Sequence, residues 1–411
     1  MLKDIFKNKN RNLLIFTQGL TALIALITGK LIASYIKPEE FGVYSLQWAT
    51  VIFFSSILIT PFTQYVKSTE NTILPYIGTK YYVWTIVLLM VISVFSVSIF
   101  LNYYNNNLNL ILFFILLVFI PVNVFSGVLS NHFNVIGKIA EYCYLGIIKA
   151  LGGVLFLAAY LYFESNWFSD SQLLWMTQVL SMFIGILFFG HKYPFIKSVR
   201  EVAYKTYLKK YFKFSLPLII MAFWAWINNY FDRYAIEYFM TVKDVGLYNA
   251  SYSLGSKLFL TLSPIFAVLL SPSVFKKNKI DVKKKITQKY ALLYIIASIP
   301  ILIIVYFFSE ELGSLLLSNQ YKEGFFVIFW TALTFFIFTL TQLVELIFYS
   351  EKKTSIILKG NLIGALINIT LNIILIPKLN LIGACIASLV GFIFYFTYIA
   401  SQFFNINLIK T

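Results

Sequence analysis

Apolar runs of about twenty residues or more recur along this chain, each set off by a short polar stretch. They fall at about 13–36, 41–66, 81–101, 110–130, 142–163, 172–190, 214–239, 246–275, 290–308, 325–349, 356–376 and 382–404. At 1.5 Å per residue each is near or above the length needed to cross roughly 30 Å of hydrocarbon. The pattern predicts an all-α integral membrane fold of twelve transmembrane helices. Pro61, Pro121, Pro217, Pro264 and Pro272 lie inside these runs, as do Gly19, Gly29, Gly152, Gly153 and Gly255. Kinks and close helix contacts account for them, and hinges in a moving protein are the sharper alternative.

The runs also repeat a local motif. Lys37-Pro38-Glu39-Glu40-Phe41-Gly42-Val43-Tyr44 matches Thr241-Val242-Lys243-Asp244-Val245-Gly246-Leu247-Tyr248 at an offset of 204 residues, roughly half the chain. Two pseudo-symmetric six-helix lobes follow, at 1–190 and 214–411, with residues 191–213 between them. Internal symmetry of this kind in a membrane protein points to a transporter whose substrate site lies in a central cavity between the repeats. The linker, HKYPFIKSVREVAYKTYLKKYFK, interleaves bases with Tyr193, Phe195, Val199, Val202, Tyr204, Tyr207 and Leu208, a mix suited to an amphipathic helix on an anionic leaflet. The basic stretch 276–289 is expected to behave similarly.

Composition agrees on the solvent. With 59% hydrophobic and 12% charged residues and a mean hydropathy of +0.79, the chain has too little polar surface for a water-soluble globule. Its charge is +16, but 24 of the 33 lysines and arginines fall in the N-terminal tail, the C-terminal tail and alternate connections. The opposite connections hold only Lys37, Lys243, Lys322 and Lys378. This bias places both termini in the cytoplasm and makes the basic balance a topology signal, with no nucleic-acid partner expected. The N-terminal apolar run is too long for a signal peptide and lacks a small-residue cleavage site. Cys143, Cys385, His132 and His191 are isolated in sequence, so neither a disulfide nor a metal or other cofactor site is expected.

Chemistry is sought among charges inside the predicted helices, which cost about 2.5–3.5 kcal/mol each unless they face a polar interior. These are Lys30, Lys149, Asp232, Arg233, Glu237, Lys257, Glu345 and Lys359. Lys257, roughly 17 Å from its helix end, and Lys149, roughly 10 Å from its own, are too deep to snorkel easily and are expected to line a cavity. Lys30 and Arg233 occupy corresponding places in helices 1 and 7, where cavity lining and outward snorkelling both stay open. Asp232 adjoins Arg233, but helical neighbours point about 100° apart, so separate partners are predicted. Glu237, Glu345 and Lys359 lie close enough to helix ends to be solvated tips. Interior cations outnumber acids, which favours an anionic substrate. Trp224, Trp226 and Tyr230, with Asn228 and Asn229 between them, are either helix packing and interfacial belt or a surface that stacks on and hydrogen-bonds sugar rings.

Three stretches in order carry a family resemblance: Ile36 through Tyr44, Asp232-Arg233 through Tyr248, and Asn368 through Ala387, the last containing Ile376-Pro377-Lys378-Leu379-Asn380-Leu381-Ile382-Gly383. They resemble the helix 1–2, 7–8 and 11–12 junctions of the polysaccharide transporter family. This is the family of O-antigen and related lipid-linked oligosaccharide flippases, within the multidrug/oligosaccharidyl-lipid/polysaccharide exporter superfamily. The resemblance implies a V-shaped pair of lobes around a cationic cavity, in a bacterial inner membrane. It implies alternating-access movement of an undecaprenyl-pyrophosphate-linked glycan from the cytoplasmic to the periplasmic leaflet. Membrane lipids and polysaccharide assembly proteins are the other partners it implies. The chain departs from the lipid II flippases in having no room for their two extra helices. It departs from cation-exporting drug antiporters in lacking an acid within predicted helices 1 to 6.

A pyrophosphate is too costly to draw through hydrocarbon unpaired, whereas cationic side chains in a wet cavity replace part of its hydration while the polyprenyl tail stays in lipid. Lys257 and Lys149, helped by Lys30 and Arg233, are the expected substrate contacts. Asp232 and Glu345 are the candidates for coupling, by proton exchange or through the membrane potential. The rival reading is a membrane enzyme, a glycan polymerase or lipid-dependent glycosyltransferase. Its catalytic groups would need a sizeable outer loop, and the longest, 309–324, offers only Glu310, Glu311 and Glu323 with Lys322. Transport without covalent chemistry is therefore expected.

Overall fold

The computed structural model describes residues 9–69, 74–105, 109–163, 167–193, 204–276 and 279–405. These are helical nearly throughout: α1 (Lys9–Tyr35), α2 (Pro38–Leu58), α3 (Thr60–Thr69), α4 (Leu74–Asn105), α5 (Leu110–Val135), α6 (Ile139–Tyr162) and α7 (Asp170–Phe189) in the first part. There follow α8 (Tyr204–Phe239), α9 (Val242–Leu260), α10 (Leu262–Phe275), α11 (Ile280–Phe307), α12 (Ser309–Leu316), α13 (Val327–Ser350) and α14 (Thr354–Phe404). Eleven stretches are long and apolar enough to cross a membrane.

The last of these stretches is two spans. At 51 residues α14 would be about 77 Å long if straight, more than twice the hydrocarbon thickness. Asn380 has a positive φ of 53° just after Pro377, and the chain doubles back there. Gly383 packs on Leu375, Asn368 bonds Ser388 at 3.3 Å, and Gly364 packs on the Gly391 carbonyl. Pairs that close on Asn380 from both sides define an antiparallel hairpin, so the described residues hold the twelve spans the pattern predicts.

Two predicted spans are interrupted. The second bends at Ile59, two residues before Pro61, and the eighth at Thr261, three before Pro264. A proline ring clashes with the carbonyl four residues back and removes an N–H, so the helix gives way just before it. The predicted surface stretch 276–289 is different: from Ile280 onward it is the first turns of α11. Lys283 is buried there because Glu351 pairs with it at 2.6 Å and the Ser350 hydroxyl accepts at 3.1 Å. The amphipathic segment proposed at 191–213 lies largely outside the described residues.

Contacts divide the chain into two units, Met1–Leu31 with Leu46–Phe223, and Ile32–Ser45 with Trp224–Thr411. The first is centred on fully buried Trp175, ringed by Trp48 and Phe119 at 5.5 and 4.8 Å between ring centroids. Its indole N–H donates to Gln47 Oε1 at 2.8 Å, satisfying a buried donor. Exposed large apolar side chains such as Leu88, Phe95, Ile99, Phe114 and Leu155 are too many for a water-facing surface and fit lipid contact.

The second unit explains the repeated motif. Thr241 caps α9: its hydroxyl accepts from Asp244 N–H at 3.2 Å while the Asp244 carboxylate accepts from the Thr241 N–H at 3.1 Å. In the other copy Pro38 is the first residue of α2, where its missing N–H costs nothing, and Glu39 and Glu40 supply the acid of the first turn. The glycines then let the two copies meet. A side-chain carbon on Gly42 would overlap the Val242 carbonyl, and one on Gly246 would overlap the Pro38 carbonyl, a reciprocal contact. One residue further on, Ser45 and Asn249 stand at the same 204-residue offset and bond each other at 2.7 Å.

The 309–324 connection finishes this corner. Ser318 and Gln320 donate to the Ala33 carbonyl, and Gln320 and Tyr321 to that of Ile36 at 2.9 Å, satisfying acceptors at the C-terminal end of α1. Overpacking of this kind costs about 1–3 kcal/mol. Gly42→Ala and Gly246→Ala should therefore each lower the thermal unfolding midpoint of the purified protein clearly. Gly29→Ala, which meets nothing within 4 Å, should leave it unchanged or raise it; equal midpoints for all three would contradict the contact.

Candidate functional site

The candidate charges separate into three environments. Arg233 and Asp232 form the first, on α8 and inside the second unit, with 5% and 2% of their surfaces exposed. They pair with each other at 3.1 Å, where the sequence predicts separate partners. The reason is the reach of the arginine: its guanidinium curls back one turn to donate to the Asn229 carbonyl at 2.5 Å and takes the Asp232 Oδ1 on the way. Its Nε donates to Asn249 Oδ1 at 2.9 Å, and the Tyr230 and Tyr252 rings face it at 4.8 Å each. Asp232 Oδ2 accepts from Tyr248 Oη at 2.7 Å. Nε and Nη1 of the arginine and both oxygens of the aspartate are thus engaged, which offsets the cost of burying the pair. Through Asn249 and Ser45 it is joined to the Gly42/Gly246 crossing.

The deep lysines form the second environment. Lys257 stands in the last turn of α9, about 22 Å from its start, and its carbonyl accepts from Thr261 at the helix break. It is partly buried, and among the described residues neither an ion pair nor a hydrogen bond engages its ammonium. Lys149, midway along α6 in the first unit, threads its aliphatic stem past Gly185, where a side chain would collide with it. Its ammonium donates to the Ser126 hydroxyl at 3.2 Å and meets no carboxylate among the described residues. Lys30, near the end of α1, is partly buried in the same unit.

Glu345 is the third. Sequence position makes it a solvated tip, yet only 6% of it is exposed, because Tyr395 of α14, fifty residues away, covers it and donates a short hydrogen bond to Oε1. Tyr395 Oη accepts in turn from Asn361 Nδ2 at 2.7 Å. The Asn361 carbonyl accepts from Asn228 Nδ2 at 2.9 Å. Gly360 makes room for the Tyr395 ring, and this spacing is the signal that the sequence reading missed. Asn228 is thus a helix-to-helix tie, and Asn229 Nδ2 is turned back onto the Ala225 carbonyl at 2.7 Å. Trp226 stacks with Tyr230 at 6.3 Å and meets Tyr234 at 5.7 Å, a ladder along one face of α8; Trp224 is partly buried beside it. Lys359 is exposed and Glu237 partly buried.

Among the described residues no group of three His, Cys, Asp or Glu side chains is placed to hold a metal ion, and Cys143 and Cys385 are free and buried. Two apolar clefts, of about 450 Å³ beside Ile148 and Ile184 and about 390 Å³ beside Leu366 and Phe394, contain none of the candidates.

A family model described as polysaccharide biosynthesis protein matches residues 8–277, well over half of the chain. The chain belongs to that family. No curated protein matches it. In fold, this polysaccharide biosynthesis family member is similar to a multidrug resistance MATE transporter of the MOP superfamily in an inward-facing conformation. The TM-score is 0.65 at 11% identity, over 95% of this chain and 96% of the other. It is similar to the lipid II flippase MurJ in an inward closed conformation, with a TM-score of 0.67 at 14% identity over 97% and 90%. A MOP superfamily transporter from Pyrococcus furiosus gives 0.62 at 11% identity over 98% and 97%. The family match takes in Lys30, Lys149, Asp232, Arg233 and Lys257; Glu345 and Tyr395 lie beyond it.

Removing one partner of a buried ion pair strands the other and costs about 3–5 kcal/mol, whereas an apolar replacement of both is often tolerated. Asp232→Ala should accordingly destabilise the protein sharply in thermal unfolding. Asp232→Leu combined with Arg233→Met should recover most of the loss; a double variant as unstable as the sum of its singles would contradict the pairing.

Proposed function

We propose that this protein is a flippase that carries an undecaprenyl-pyrophosphate-linked oligosaccharide, an O-antigen or similar surface-polysaccharide repeat unit, from the cytoplasmic to the periplasmic leaflet by alternating access. The observation that carries the reading is Lys257: a cation deep in a membrane span of a polysaccharide biosynthesis family member, with no carboxylate to neutralise it among the described residues. An ammonium is kept in such a place at a cost of a few kcal/mol, which an anionic ligand offsets. A pyrophosphate supplies the charge and the acceptor oxygens.

Lys149, held only by a serine hydroxyl, is the second contact, and Lys30 the third. Arg233 belongs to the frame, because its charge is paired with Asp232 and its Nε and Nη1 are held by Asn249 and Asn229. The ladder of Trp226 and Tyr230, with Trp224 beside it, is the proposed surface for sugar rings; Asn228 and Asn229 position that helix. The lobes that rock are helices 1–6 and 7–12, residues 1–190 and 214–411. Similarity in fold to a lipid II flippase and to transporters caught in inward-facing and outward-facing conformations supports a moving scaffold. Transport of this kind makes and breaks no covalent bond. The setting is a bacterial inner membrane with both termini in the cytoplasm, where polysaccharide assembly proteins would hand on the cargo.

A hydrogen bond to a charged group is worth about 1.5–3 kcal/mol, and 1.4 kcal/mol is tenfold. Lys257→Ala should lower surface glycan about tenfold or more, measured at equal membrane levels of protein, and Lys257→Arg should retain most of it. Full export by the alanine variant would remove Lys257 from the site.

A further inference from the structure

Glu345, in the second unit, has no structural duty that needs a charge. Glu345 lies about 8 Å from the end of α13, on the side of Lys352 and Lys353, and no lysine or arginine pairs with it among the described residues. The groups around it are known element by element. Tyr395 of α14 touches it, and Tyr349, one turn on, is within electrostatic reach. Lys257 of α9 makes no ion pair with it, and Tyr252 of α9 faces Arg233. On α11, Lys283 is bonded to Glu351 and Tyr294 to the Phe336 carbonyl. Lys359 of α14 is exposed, and α10 carries no titratable side chain. Among the described residues Glu345 Oε2 has no hydrogen bond.

We propose that Glu345 is a proton-binding site that drives transport, and that α14 transmits its charge state to α8 through Tyr395 and Asn361. This rests on the flippase reading for the word transport, but not for the site itself. Tyr395 donates to the carboxylate, the Asn361 side-chain amide donates to Tyr395, and the Asn361 main-chain carbonyl accepts from Asn228 of α8. When a hydronium gives up its proton, an O–H bond forms on the carboxylate and water is released. With the proton on Oε2, Oε1 becomes a carbonyl oxygen that still accepts from Tyr395, but without the charge that strengthens the bond. One proton thereby loosens the hold of α14 on α13, and α14 is tied through the Asn361 main-chain carbonyl to Asn228 of α8, the helix that carries the aromatic ladder and the Asp232–Arg233 pair. Asp232, the other acid considered for coupling, is already committed to Arg233 and Tyr248.

The test uses the full-length purified protein in lipid vesicles. Infrared difference spectra on acidification should show a carboxylic acid C=O band that is absent in Glu345→Gln and shifted in frequency in Tyr395→Phe. A titrating band unchanged in Glu345→Gln, or none at all in the wild type, would overturn the site. In cells, collapsing the proton gradient should lower wild-type glycan export. Glu345→Gln should be low already and indifferent to the collapse. Export that follows sodium instead, or a Glu345→Gln variant that still responds to the proton gradient, would refute the coupling. A wild type that shows the band but moves no lipid-linked glycan would sink the flippase reading and leave the proton site standing.

Discussion

The close crossing of Gly42 on Val242 and of Gly246 on Pro38 is the constraint on which the rest of the second unit depends. Two helix starts that share one motif meet backbone to backbone, a distance that only glycine permits. Ser45 and Asn249 lock the register, and Asn249 passes the constraint to Arg233, Asp232 and Tyr248. A buried ion pair is an expensive way to hold two helices. Here both members are hydrogen-bonded to neighbouring groups and flanked by Tyr230 and Tyr252, so the pair fixes the rotation of α8 about its axis. The motif repeated at a 204-residue offset thus builds a joint.

That division of labour decides which charges remain for a ligand. Arg233 is paired with Asp232, while Lys257 in the same unit and Lys149 in the other keep ammonium groups without a carboxylate partner among the described residues. A cation retained inside a span without its counter-ion is costly, and an anion carried through the protein is a ready explanation of why it is kept. Glu345 is the mirror case, an acid that pairs with no cation among the described residues and is answered by a hydroxyl. The unpaired cations and this acid thus stand on separate helices.

Much of this was legible in the residues. Apolar run lengths gave the spans because a bilayer sets one length for all of them. Even the hairpin hidden in the 51-residue α14 was anticipated by Pro377 and Asn380, between runs ending at 376 and starting at 382. The 204-residue echo located the joint. What it could not convey was side-chain direction. Arg233 is long enough to cancel the 100° between helical neighbours, and Glu345 is covered by a tyrosine whose approach depends on Gly360 and a hairpin fifty residues downstream. Both are facts of tertiary packing, to which periodicity along one helix is blind. The basic stretch after 276 was misread for a related reason: its Lys283 finds Glu351 only once α11 and α13 are side by side.

The proposed function is leaflet-to-leaflet movement of an intact phosphorylated lipid. The direct measurement reconstitutes the purified protein in vesicles with a labelled undecaprenyl-pyrophosphate oligosaccharide and follows, with a membrane-impermeant glycan-modifying reagent, how much label is exposed on each face. The account predicts that label protected in one leaflet becomes accessible only when the protein is present, with its mass unchanged. Label that stays where it was put, or that reappears as a longer or cleaved glycan, would contradict it.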